Sequence, residues 1–122
     1  MTQESLTYTA ILEHVMDGMP GGVLVYRADE KEEILYANSW LIHIFGCHDM
    51  DDFMAVTGGS FKSLVHPRDA EKVEKDIERQ ISSGTNVFDY VNYRILTKEG
   101  TEKTVEEFGH RIHVPGVGPV FY

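Results

Sequence analysis

Between Leu6 and Met19 the apolar residues fall at Leu6, Ile11, Leu12, Val15, Met16 and Met19, near the i, i+3, i+4 spacing of one helical face. This pattern predicts an amphipathic N-terminal helix. Pro20-Gly21-Gly22 ends it, because proline lacks the amide hydrogen that continues a helix and glycine frees the backbone to turn. Two short β-branched and aromatic runs follow, Val23-Leu24-Val25-Tyr26 and Ile34-Leu35-Tyr36-Ala37, separated by the acidic turn Asp29-Glu30-Lys31-Glu32. They predict an antiparallel hairpin. Asn38-Ser39 stands where an N-cap belongs, its side-chain oxygens suited to the free amides of Trp40, Leu41 and Ile42. The short helix opened there should end at Phe45, before Gly46.

Residues 48–64 hold an acidic cluster at Asp49, Asp51 and Asp52, the pair Gly58-Gly59, and scattered apolar residues, which predict short helical turns and loops. A longer helix begins at His66-Pro67-Arg68-Asp69, with Pro67 suited to the first helical position and Asp69 to the positive end of the helix dipole. Ala70, Val73, Ile77 and Ile81 form its apolar stripe, Glu71 and Lys75 an i, i+4 ion pair, and Ser82-Ser83-Gly84 its stop. Val87 to Thr97 reads as a long strand, Lys98-Glu99-Gly100-Thr101 as a turn, and Glu102 to His113 as the returning strand. After a turn at residues 114–118, Val120-Phe121-Tyr122 begins a last strand that reads as truncated.

Alternation along the first long strand puts Val87, Asp89, Val91, Tyr93 and Ile95 on one face and Phe88, Tyr90, Asn92, Arg94 and Leu96 on the other. Both faces are partly apolar, so each should be covered, and the N-terminal helix is the expected second cover. Left exposed, that helix would instead offer a surface for a homodimer.

Composition narrows the class. The 122 residues, 42% hydrophobic and 25% charged, suit one folded domain. A formal charge of −9 repels phosphate backbones and anionic lipid, so nucleic acid is not an expected partner. With a single cysteine, Cys47, no internal disulfide forms, and the reducing cytoplasm is the expected compartment, although a longer parent could be membrane-anchored.

The predicted order is helix, two strands, short helices, one long helix, then three strands, an α+β arrangement. Ile34 to Gly46, ILYANSWLIHIFG, resembles the PAS domain family, which places a strand, an asparagine, an apolar helix and a glycine there. Leu64-Val65-His66-Pro67-Arg68-Asp69 is similar to the histidine-proline-x-aspartate lead-in to the long helix in a large PAS subgroup of bacterial sensors. Tyr93-Arg94-Ile95 through Lys98-Glu99-Gly100 resembles that subgroup's arginine-bearing strand and lysine-acid-glycine turn. A tryptophan frequent in the subgroup shortly after that glycine is replaced here by Thr104 and Val105. The resemblance implies a five-stranded antiparallel sheet with short helices and one long helix on one face, residues 1–22 being an N-terminal helix and linker and 23–122 the PAS-like domain.

The resemblance also implies a sensory input domain of a larger bacterial signalling protein, which binds a small molecule or partner and regulates a C-terminal output such as a diguanylate cyclase or histidine kinase. The alternative is a ligand-free dimerisation module. The chain itself is not expected to be an enzyme: no nucleophile elbow is present, and Gly58-Gly59-Ser60 lacks a phosphate-cradle spacing. Flavin photochemistry in the family uses an Asn-Cys-Arg-Phe-Leu-Gln block, which is absent, and haem-binding members commonly use a histidine of the long helix, where residues 69–83 have none. Neither cofactor is expected. His43, Cys47 and His48 fall short of a closed metal site, and His66 is expected to be structural. By resemblance, the ligand cleft between sheet and helices would be lined by Trp40, Phe45, Phe53, Phe61, Val91, Tyr93, Ile95 and Val105. Alternation from Val105 adds Glu107 to the same face.

Overall fold

The computed structural model describes residues 2–82 and 88–122. Helix α1 (Gln3–Gly18) precedes strands β1 (Leu24–Arg27) and β2 (Ile34–Ala37). Helices α2 (Ser39–Ile44), α3 (Met50–Thr57), α4 (Phe61–Leu64) and α5 (Ala70–Ile81) follow, then strands β3 (Phe88–Leu96), β4 (Glu102–Val114) and β5 (Gly118–Phe121). The expected Ser83-Gly84 stop and the strand start at Val87 lie outside the described residues. The strands form one antiparallel sheet in the order β2-β1-β5-β4-β3, so the last strand of the chain sits in the middle.

Period-2 alternation decides which sheet face is dry. Along β3, Asp89, Val91, Tyr93 and Ile95 are buried, while Phe88, Tyr90 and Leu96 are exposed. Phe53 of α3, Phe61 and Leu64 of α4, and Val73 and Ile77 of α5 pack against that inner face. Tyr26 stacks on Phe61 at 4.5 Å between ring centres, and Phe45 meets Phe53 edge-on at 5.2 Å.

Asn38 joins three segments. Its Oδ1 accepts the amides of Val23 (2.9 Å) and Leu41 (3.1 Å), and its Nδ2 donates to the carbonyls of Met16 (2.8 Å) and Gly21 (3.0 Å). One fully buried side chain thereby caps α2, seats the linker and ties down the end of α1. Asp17 adds a second tie, accepting the amide and hydroxyl of Ser39. The linker itself runs close to α2: a Cβ on Gly22 would lie 2.9 Å from Leu41 Cδ1, so glycine is needed for that approach.

Three expectations are corrected. The segment 48–64 is more regular than the expected short helical turns and loops: α3 is capped by Asp49, which accepts the Asp52 amide at 2.8 Å, and is closed by Gly58 at φ 79°. Helix α5 begins at Ala70 rather than at Pro67. The Asp69 carboxylate does not cap it but accepts from the Arg94 amide (2.9 Å), Nε (3.0 Å) and Nη2 (2.7 Å), joining helix lead-in to strand. That bonding holds the Asp69 carboxyl well below the usual carboxylate range. Nearby, His66 donates its amide to the Arg94 carbonyl at 2.8 Å, and its Nε2 lies 3.0 Å from Glu102. Asp69→Asn should therefore lower the melting temperature by several degrees at neutral pH, with the loss shrinking at acidic pH, as scanning calorimetry would show.

The third correction concerns α1. It buries none of its own residues and makes its main contacts at α2, while Phe88, Tyr90 and Phe108 of the outer sheet face stay exposed. Its C-terminal turn is held by Asn38 and Ser39, just past the end of the edge strand β2. On the outer face Phe88 stacks on His110 at 4.2 Å, Tyr90 lies against Phe108 at 4.8 Å, and Tyr122 Oη is 2.8 Å from His110 Nδ1. Phe108 is 75% exposed.

Candidate functional site

Strand β5 pairs with β1 at Tyr26 and Arg27, and with β4 from Arg111 to Val114. The segment from Gly21 to Leu24 therefore faces Val105 to Phe108 across a gap that opens into the interior. Behind it lies a cleft of about 570 Å³, walled by Leu41, Ile44 and Phe45, by Leu64, and by Tyr93 and Ile95 of the inner sheet face. Leu41, Ile44 and Phe45 reach it together because i, i+3 and i+4 positions share one side of a helix.

The cleft wall is largely apolar, its polar side chains being Tyr93, Glu106, Glu107 and Tyr122. Tyr93 Oη donates to Glu107 Oε1 at 3.1 Å. Burial pushes the Glu107 carboxyl up to about 7, against the opposing pull of the Tyr93 bond, and the nearby Asp89 carboxylate adds to the rise. The Tyr93 phenol is itself held well above its ordinary value by burial and by Glu107.

Asp89 stands on the same sheet face, is 5% exposed, and neither carboxylate oxygen has a hydrogen bond among the described residues. Burial raises its pKa, as does the charge of Asp76. Its cross-strand partner is Gly109, where a Cβ would lie 2.7 Å from both oxygens. Gly109→Ala should destabilise the fold by about 1–3 kcal/mol through this overlap. Asp89→Ala in the same chain should recover most of that loss, a coupling that a double-mutant cycle of urea denaturation measures.

Of the residues expected in the cleft, Phe45, Tyr93, Ile95, Val105 and Glu107 line it. Phe53, Phe61 and Val91 do not: they are fully buried in the core between sheet and helices, where other side chains fill the space around them. Trp40 is corrected outright. It is 48% exposed, because a one-residue step around α2 turns it about 100° from Leu41, which faces inward. Leu24, Leu41, Ile44 and Leu64 were not expected in the wall, although the Leu41, Ile44, Phe45 spacing was visible in the sequence. Among the described residues, no three His, Cys, Asp or Glu side chains are grouped to hold a metal ion.

A five-stranded antiparallel sheet with its last strand central, cradling a cleft under one face, defines a class of small α+β domain. The PAS fold family matches residues 34–120, and the chain belongs to it. PAS domains are typically sensory and non-catalytic, in agreement with the expectation that the chain is not an enzyme. No curated protein matches it. Among solved structures, the PAS domain of an HTR-like protein from Haloarcula marismortui is 17% identical with a TM-score of 0.69, over 98% of this chain and 91% of that one. The PAS domain of a Colwellia psychrerythraea protein is 16% identical with a TM-score of 0.66, over 96% and 92%. A domain of a sensory box sensor histidine kinase/response regulator from Geobacter sulfurreducens is 20% identical with a TM-score of 0.60, over 97% and 90%.

Proposed function

We propose that the chain is the sensory input domain of a larger cytoplasmic signalling protein, taking a small molecule in the cleft and regulating an output domain such as a histidine kinase or diguanylate cyclase. The observation that carries this reading is the cleft itself: its volume of about 570 Å³ lies inside the roughly 300–1,000 Å³ range of small-molecule sites, and its wall is largely apolar. The similarity to a sensor histidine kinase domain supports a kinase-type output. Helix α2 links cleft to periphery, since Leu41 and Ile44 form its wall while Asn38 at its start holds α1. Native mass spectrometry before and after denaturation tests the reading. A retained mass of small-molecule size is expected, and bare protein that binds no compound from a metabolite panel would overturn it.

A second reading, a dimerisation module, is favoured by one observation: the outer aromatic face and the apolar stripe of α1 are both exposed on the same chain. A second copy would cover both. Sedimentation velocity should then show a dimer that Phe108→Asp converts to a monomer, because the substitution buries a charge in the contact. A wild-type monomer at all concentrations would end this reading.

A further inference from the structure

We infer that the cleft selects a cationic organic amine with an apolar body, its ammonium group seated on Glu107. The inference rests on the proposal that the cleft takes a small molecule, and it adds the chemical class. The side chains of the wall supply acceptors and no free donor. Among the described residues, no lysine, arginine, histidine, amide or small hydroxyl side chain lines the cleft. The Tyr93 hydroxyl spends its proton on Glu107, and the Tyr122 hydroxyl is engaged with His110. Glu107 Oε2 has no hydrogen bond among the described residues, so one carboxylate oxygen is left for a ligand.

Asp89 does not line the cleft, but its carboxylate adds to the negative potential at Glu107. It is an acceptor-only group, nineteen-twentieths buried, unbonded among the described residues, and on the same inner face two residues from Val91, the cross-strand partner of Glu107. Two carboxylates in one low-dielectric interior repel each other, and a cation seated on Glu107 relieves that repulsion. An anionic ligand, or one carrying only carbonyl acceptors, meets the opposite: acceptors facing acceptors at a cost in lost hydration. The apolar remainder of the ligand has Leu24, Leu41, Ile44, Leu64 and Ile95 to lie against. At longer range the net charge of −9 favours the approach of cations.

Binding should depend on pH through Glu107. The titratable groups that face it are Tyr93 and Asp89 from β3 and Tyr26 from β1, all of which stay uncharged or negative, while α2 and α4 present Leu41, Ile44, Phe45 and Leu64. An alkylammonium remains charged throughout the range from pH 6 to pH 8, as its reference value near 10 implies.

The test is calorimetric titration of the 122-residue chain with three compounds of matched body, 4-phenylbutylamine, 4-phenylbutanol and 4-phenylbutyrate, at pH 8 and pH 6. At pH 8 the amine should bind about tenfold more tightly than the alcohol, the margin of one charge-assisted hydrogen bond, and the acid should bind least. That margin should narrow several-fold at pH 6 and vanish in Glu107→Gln. Alcohol or acid binding as tightly as the amine to the unaltered chain overturns the amine class and leaves the ligand-binding reading standing. No saturable binding of any of the three, together with native mass spectra free of retained ligand, overturns both. Should Glu107→Gln fail to fold, the pH comparison on the unaltered chain decides.

Discussion

Replacing Asn38 by alanine is expected to cost about 3–5 kcal/mol of folding stability, because a fully buried side chain is lost and four half-buried backbone groups lose their partners together. Domains of this size are typically stable by roughly 5–15 kcal/mol, so the variant should unfold at a much lower urea concentration. Asn38→Asp separates the two halves of the side chain. It keeps the acceptor for the amides of Val23 and Leu41 but turns a charged oxygen toward the carbonyls of Met16 and Gly21, so it should be no more stable than the alanine variant. Hydrogen exchange should locate the damage, with amides in the last turn of α1 and the first turn of α2 exchanging faster together. Exchange confined to α2 would show that α1 is held by something other than Asn38.

Stability should fall as pH rises from 5 to 8, by on the order of 3 kcal/mol. Two carboxyls drive this. Glu107 is pushed up to about 7 and Glu32 to about 8, each mainly by burial, and Glu32 further by a shared hydrogen bond with Glu74. Between the ordinary glutamate value and these raised ones the folded chain holds protons that the unfolded chain has released. Rising pH therefore favours unfolding, and the loss is complete once both groups ionise in the folded state. Below about pH 4 the sign reverses, since Asp69, held low by Arg94, must then be protonated. Urea midpoints measured at unit intervals from pH 4 to pH 9 should peak near pH 5. Glu107→Gln should flatten roughly half of the decline, and a profile unchanged by that substitution would mean that Glu107 ionises normally in the folded chain.

Much of the fold was legible along the chain because short-range signals placed it. Asn38 followed by Leu41, Ile42 and Phe45 marks a capped apolar helix before any contact is known, and Gly46 at φ 74° closes it as its position implied. Alternation put Val91, Tyr93 and Ile95 on one face of β3, and Val105 carried that face across the hairpin to Glu107. What failed did so where a residue's neighbour comes from far along the chain. Asp69 resembled a helix-dipole partner and turned out to be Arg94's, 25 positions away. Trp40 had the composition of a cleft residue, but a turn of about 100° on a six-residue helix is settled by which side meets the sheet.

The amino-acid pattern by itself determined the order of elements, which residues of the long hairpin share a face, and the family, because periodicity, capping and turn chemistry act over a few residues. The tertiary structure decided the rest. It brought Glu107, Tyr93 and Asp89 into one interior and left a cleft beside them. It also held α1 at the start of α2, and left Phe88, Tyr90 and Phe108 uncovered. These outcomes depend on strand order and on how closely distant side chains fill shared space, and packing of that kind is a property of the assembled fold that no local stretch of residues encodes.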